Sequence, residues 1–174
     1  MDFKQMVKKR RSMRKYKQDQ KMDDEALLEL FTYASMGPSK SNAHPVEFLV
    51  VEDPEKKKAL AELKRFGTKY LADAPQIIVV MGNDTSEPTW IEEATITSAY
   101  LGLLLHAEGY ASSWINIREQ TNSAGESSEE IVKKLFNIPE NYGILCLIPF
   151  GIPDEWIQSR KYFDISSKVH KDTF

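Results

Sequence analysis

Apolar positions along the chain recur with two different periods, and the changes of period mark out the elements. In "FKQMVKKR" Phe3, Met6 and Val7 have helical spacing, which predicts a short amphipathic helix ending near Arg11. "DDEALLELFTYAS" opens on acids and repeats apolar groups at Leu27, Leu28, Phe31 and Ala34, so it predicts a second helix capped by Asp23 or Asp24. "MGPSKSNAHPV" (residues 36–46) is rich in turn formers and predicts a polar loop. "EFLVVED" reads as a short strand stopped at Asp53-Pro54, and "EKKKALAELKRF" as a solvated helix. "PQIIVVMG" and "YGILCLIPFGIP" are continuous apolar runs of strand length, as expected of strands buried on both faces. "IEEATITSAYLGLLLHAEG" predicts a long helix whose second half is apolar nearly all round, so more than one side of it needs a cover. "ASSWINI" predicts a strand and "SSEEIVKKLFN" a helix capped by Ser127 or Ser128. The last stretch, from Asp154, mixes polarity and carries Trp156, Tyr162, Phe163 and Phe174, too many aromatics for a disordered end.

Helices and strands mix without strict βαβ alternation, and neither a repeat nor a linker interrupts them. The pattern therefore predicts one α+β domain over residues 1–174. The 174 residues suffice for a real core, and 41% apolar with 28% charged is the balance of a globular protein. The longest apolar stretch, 96–111, is interrupted by Thr97, Ser98, His106 and Glu108, which argues against a membrane span. No apolar signal core follows the basic N-terminus, so a cytoplasmic location is expected. The single cysteine, Cys146, sits in "ILCLIPF" as a buried thiol, and three scattered histidines offer no metal-ligand spacing.

One segment stands against the acidic balance. "VKKRRSMRKYKQ" (7–18) holds seven Lys or Arg residues in a chain of net charge −3. It reads as a charged helix end, as a nucleic-acid contact, or as a phosphate site. The overall charge disfavours nucleic acid, which asks for a broadly positive domain. Arginine forks beside a small hydroxyl, "RRS" with Arg14 two residues on, are what a phosphate monoester needs. Ser39, Ser41 and Asn42, framed by turn formers, could meet a flat polar ligand, although Asn42 also suits a plain turn and His44 a loop brace.

These segments together resemble the nitroreductase family of flavoenzymes. "RRSMRKY" resembles its Arg-Arg/His-Ser-x-Arg-x-aromatic opening, and "GPSKSNAHPVEFLVV" its Pro-Ser-x-x-Asn-x-Gln-Pro-Trp loop and strand. "AEGYASSWINI" resembles its Gly-Leu-Gly-x-x-Trp-Ile-Gly strand; "LFNIPENYGILCLIPFGIPDE" and the tail "FDISSKVHKDTF" match in order. The resemblance implies a central mixed, mainly antiparallel sheet flanked by helices, in an intertwined homodimer with FMN sites at the subunit interface. Arg10, Arg11, Ser12 and Arg14 would hold the FMN phosphate and ribityl chain. Pro38, Ser39 and Asn42 would reach the flavin of the other subunit. Trp114, Ile115 and Asn116 would pass beside the ring, with a backbone N–H near flavin N5. Arg160 or Lys161 would add a further phosphate-binding cation. The chain departs from the pattern at His44, Val46, Asn116 and Ile152, all around the expected pocket.

The activity so implied is reduction of a small aromatic, nitro, quinone or flavin acceptor by NAD(P)H, in ping-pong hydride transfer through flavin N5. No protein side chain acts as the acid, and neither nucleic acid nor membrane is a partner. The rival expectations are a flavin-binding or storage protein without turnover, and a phosphate-ligand protein without flavin.

Overall fold

A computed structural model of the chain describes residues 2–83, 88–156, 158, 160–161 and 164–174. Its helices are α1 (Phe3–Lys9), α2 (Asp24–Ala34), α3 (Pro54–Ala61), α4 (Trp90–Ala107) and α5 (Ser128–Phe136). Its strands are β1 (Val46–Val51), β2 (Gln76–Asn83), β3 (Ala111–Ser112), β4 (Ile115–Asn116) and β5 (Tyr142–Gly151). The sheet runs β1-β2-β5-β3, with β4 also on β5, and every ladder is antiparallel. A parallel bridge, Ser12 to Ser112, adds the basic segment to the edge. This is the α+β architecture expected, with helices on both faces of the sheet.

The unbroken apolar runs of β2 and β5 are explained by cores on either side. Ile77 and Val79 of β2 join Leu60, Leu71, Ile117 and Val132 on one face, while Ile78 and Val80 join Leu27, Leu30, Leu101 and Leu105 on the other. A register shift between Val80 and Met81 leaves Leu145 as an extra residue in β5, so Leu145 and Cys146 both point to the second core. There burial pushes the Cys146 thiol up to about 12, the state of an inert sulfhydryl. Trp90 lies across Gly82 and Gly143, which face one another in the β2–β5 ladder, and a side chain at either would strike the indole. That seat sets where α4 begins.

Two predicted elements come out shorter. The helix expected over 55–66 stops at Ala61, because tertiary partners take its last carbonyls: Thr68 Oγ1 donates to Ala61 O at 2.8 Å and Ser128 Oγ to Leu63 O at 2.6 Å. The strand expected over 111–117 divides into β3 and β4. Ser113 N–H donates to Pro149 O at 3.2 Å, but Pro149 has no N–H to return the bond, so the ladder weakens at that step. Of the tail aromatics, Trp156 and Phe174 are exposed, and Tyr162 and Phe163 lie outside the described residues.

Candidate functional site

The basic stretch is mostly not helical. α1 ends at Lys9, Arg10 caps it with an extended ψ of 126°, and the following residues run along the sheet edge. Met13 N donates to Ser112 O at 3.1 Å, Lys17 N to Ile152 O at 2.9 Å, and Asp154 N to Lys15 O at 3.0 Å. Buried Tyr16 rivets the segment: its hydroxyl donates toward Met13 O (2.6 Å) and Pro149 O (3.2 Å), and burial raises its pKa. Arg10, Arg11 and Arg160 are brought together. Burial first, then the charges of Arg160 and Arg11, lower the pKa of Arg10, the mark of cations gathered with no balancing carboxylate among the described residues. Arg11 Nη1 donates to Gln158 O at 2.7 Å. Lys161 is exposed.

Arg10 and Ser12 line one end of an open concavity of about 350 Å³, and Trp114 lines it too. Its remaining walls are Ser112 and Ser113, Val7, Ile148 and the Thr95–Ala99–Gly102 side of α4. Arg14 does not reach it. Its guanidinium stands 5.8 Å from the centre of the Tyr70 ring, while Tyr70 Oη shares a 2.7 Å hydrogen bond with Ser113 Oγ. Arg14 therefore touches the concavity only through Tyr70 and Ser113. Ile115 is buried in the core, so only its backbone is at the edge.

The register sets the direction of the N–H groups beside Trp114. Ser113 N and Ile117 N both donate to β5, at 3.2 and 3.3 Å. Alternation then turns the N–H of Asn116 to the open side of the edge. On the same side Lys64 Nζ donates to Asn116 O at 3.3 Å. An unpaired edge N–H beside an apolar wall can serve a ligand as donor.

The 38–44 loop is held differently. Ser39 Oγ donates to Glu93 Oε2 at 2.7 Å, Lys40 N to Glu93 Oε1 at 3.1 Å, and Thr89 Oγ1 to the same oxygen at 3.0 Å. Ser39 Oγ also accepts from His44 N at 2.9 Å, and Asn42 Oδ1 lies 2.9 Å from His44 Nε2. Ser41, Asn42 and His44 all have left-handed φ, at 51°, 60° and 46°. None is glycine, so strain is concentrated here, as it is at many ligand clamps. Pro38 and Asn42 line a shallow surface with Met36 and His44. Glu93 and Thr97 lie on the side of α4 opposite Thr95, Ala99 and Gly102, so the loop and the arginine concavity flank the helix on two sides.

Sequence reasoning missed Glu93, Tyr70 and His106. Glu93 passes for an ordinary first-turn acid, and nothing in the spacing ties it to Ser39. The fit of these residues to a flavin nucleotide rests on three features: clustered cations for a phosphate, the concavity with its indole wall, and the open N–H of Asn116.

The sequence profile described as the nitroreductase family matches residues 7–67 and 62–152. A curated relative from Methanothermobacter thermautotrophicus, named "Putative NADH dehydrogenase/NAD(P)H nitroreductase", is 30% identical over 98% of this chain and 86% of its own. The solved structure of an FMN-dependent nitroreductase from Clostridium difficile R20291 superposes with a TM-score of 0.90 at 32% identity, covering 97% of this chain and 98% of that one. A structure of oxidized iodotyrosine deiodinase bound to FMN and 3-iodo-L-tyrosine has a TM-score of 0.82 at 25% identity over 98% and 99% of the two chains.

Proposed function

We propose, on the premise that the chain belongs to the nitroreductase family, that it is an FMN-dependent, NAD(P)H-using oxidoreductase acting on a small aromatic, nitro, quinone or flavin acceptor. The observation that carries this reading is the convergence of Arg10 and Ser12 with Trp114 on one concavity. The names of the relatives support the cofactor and the nicotinamide donor. Bound FMN would supply the redox chemistry, taking a hydride from the nicotinamide and passing electrons to the acceptor by ping-pong turnover.

The chain's own part is placement. Arg10, Arg11 and Ser12 bind the phosphate, with Arg160 closing the cluster and Lys161 at its margin. Arg14 orders the ring end through Tyr70. Trp114 and the backbone of Ile115 form a dry wall, and the N–H of Asn116 donates to the ring edge. The loop of Pro38, Ser39 and Asn42 lies across α4 from this concavity and completes the site of a second subunit. The same helix supports homodimerisation. Ile96, Ala99, Tyr100 and Leu103 on its outward side are only partly covered or exposed in one chain, and Phe3, Val7 and Trp156 are exposed nearby in sequence to the arginine edges.

Three measurements test the reading. The purified chain should be yellow, and anaerobic NADH or NADPH should bleach it. Light scattering should return about twice the chain mass of 19.9 kDa. Yellow protein that neither nicotinamide bleaches is a flavin carrier instead, and a colourless monomer that cannot be reconstituted ends the proposal.

A further inference from the structure

His106 is a partly buried group that the reading above leaves unused. It sits in the last turn of α4, and its Nε2 is closed off from solvent with no hydrogen-bond partner among the described residues. An orphaned ring nitrogen of this kind is costly to bury unless something meets it. His106 lines a second concavity of about 260 Å³, which Arg10 and Arg11 also line. Arg10 lines both concavities and so links the two.

We propose that His106 is a proton-accepting member of the phosphate cradle, becoming charged when a phosphate monoester docks on Arg10 and Arg11. The inference rests on the FMN reading for the identity of that ligand. The charges that act on the ring, Arg10 and Lys9 at the end of α1, share one sign, and Arg10 in turn feels Arg160 and Arg11. The acids of the segment after Pro153, Asp154 and Glu155, do not line this concavity. From the loop after α4 comes Tyr110, while Glu108 on the helix end is exposed and no carboxylate lines this concavity among the described residues. Without ligand, burial and then the charges of Arg10 and Lys9 hold His106 below its usual range, so it is neutral at pH 7. A dianion placed against the arginines reverses the local potential, and the ring is then free to take a proton.

The linkage has a definite sign. A histidine whose pKa rises on binding makes binding tighter as pH falls through the window between its free and bound values. The phosphate itself works the other way, because cations lower its second ionisation and binding then releases protons. Proton uptake therefore reports the histidine.

The experiment titrates apoprotein with FMN and with riboflavin, for wild type and His106→Gln, which keeps a donor but cannot titrate. Wild-type FMN affinity should tighten about three- to tenfold between about pH 8 and pH 6.5, with riboflavin flat and the variant flat for both. Calorimetry of the wild type in two buffers of different ionisation enthalpy should show proton uptake with FMN and none with riboflavin, a readout that stands even if the variant fails to fold. Parallel FMN profiles for wild type and variant, equal pH slopes for the two flavins, or proton release on FMN binding overturns the role of His106 while leaving FMN binding intact. A wild-type chain that takes up no flavin at any pH overturns both readings.

Discussion

The arginine edge and the 38–44 loop, proposed above to serve one site across two subunits, are held in place by different physics. The arginine edge is pinned by backbone: a bridge to Ser112, bonds to Ile152 and from Asp154, and the buried Tyr16 rivet. Its backbone is thereby held without help from Arg10, and among the described residues no carboxylate pairs with that side chain. The loop has no ladder to lean on. It is tied to α4 through a buried carboxylate, Glu93, which accepts three donors, and it carries three left-handed non-glycine residues in four positions. An edge supported by the sheet can lose a side chain without moving, whereas a loop tied down through side chains is loosened by the loss of one. The two halves should therefore respond to mutation in different observables.

The sharpest test is at Arg10. Charge-assisted hydrogen bonds are worth roughly 1.5–3 kcal/mol, so Arg10→Ala should weaken FMN about 10- to 100-fold. Riboflavin affinity and melting temperature should hold, and Lys at this position should restore only part of the loss. Equal losses for both flavins would show that Arg10 supports the fold or the ring site, and the contrast between edge and loop would collapse.

Glu93→Gln should show the opposite signature. An amide offers one acceptor oxygen where the carboxylate offers two, so buried donors of the loop lose their match at about 1–3 kcal/mol. Melting temperature should drop by several degrees and proteolysis should concentrate in 38–44, with FMN and riboflavin weakened alike. A loop that stays protected would mean that its left-handed turns hold it without the carboxylate.

Asn42→Ala should have a smaller effect. If Asn42 reaches the ring, one neutral hydrogen bond of about 1 kcal/mol is lost, giving a several-fold weaker flavin or a shifted reduction potential. Affinity and potential both unchanged would leave Asn42 as the brace of His44 alone. The smallest effect, and the only gain, is expected at Ser41→Gly. Relief of a left-handed φ outweighs the extra chain entropy of glycine by about 0.5 kcal/mol, raising the melting temperature slightly. A fall would show that the serine side chain contributes more than its backbone costs.

Much of this was legible in the chain itself. Asp23 and Ser127 cap their helices as the spacing predicts, through bonds from Ala26 N at 2.8 Å and Glu130 N at 3.3 Å. Caps are read over three residues, so they need no knowledge of the fold. The grouping "RRS" was legible for the same reason. The early end of α3 was not, since Thr68 and Ser128 stop it from outside the segment. Nor was the break between β3 and β4. Pro149 is plain in the sequence, but which strand would miss its N–H depends on register.

Sequence by itself determined the elements, the doubly buried strands and the residue types a phosphate would need, because periodicity, capping and charge act through neighbours along the chain. Tertiary structure alone decided that Arg160 joins Arg10 and Arg11, that Arg14 turns to Tyr70, and that Asn116 presents an open N–H. It also set Glu93 against the loop and His106 on one concavity with Arg10 and Arg11. Each of these joins residues far apart in the chain, through hydrogen bonds and Coulomb interactions a few ångströms long. Such contacts exist only once the sheet has chosen its register and α4 has settled on Trp90.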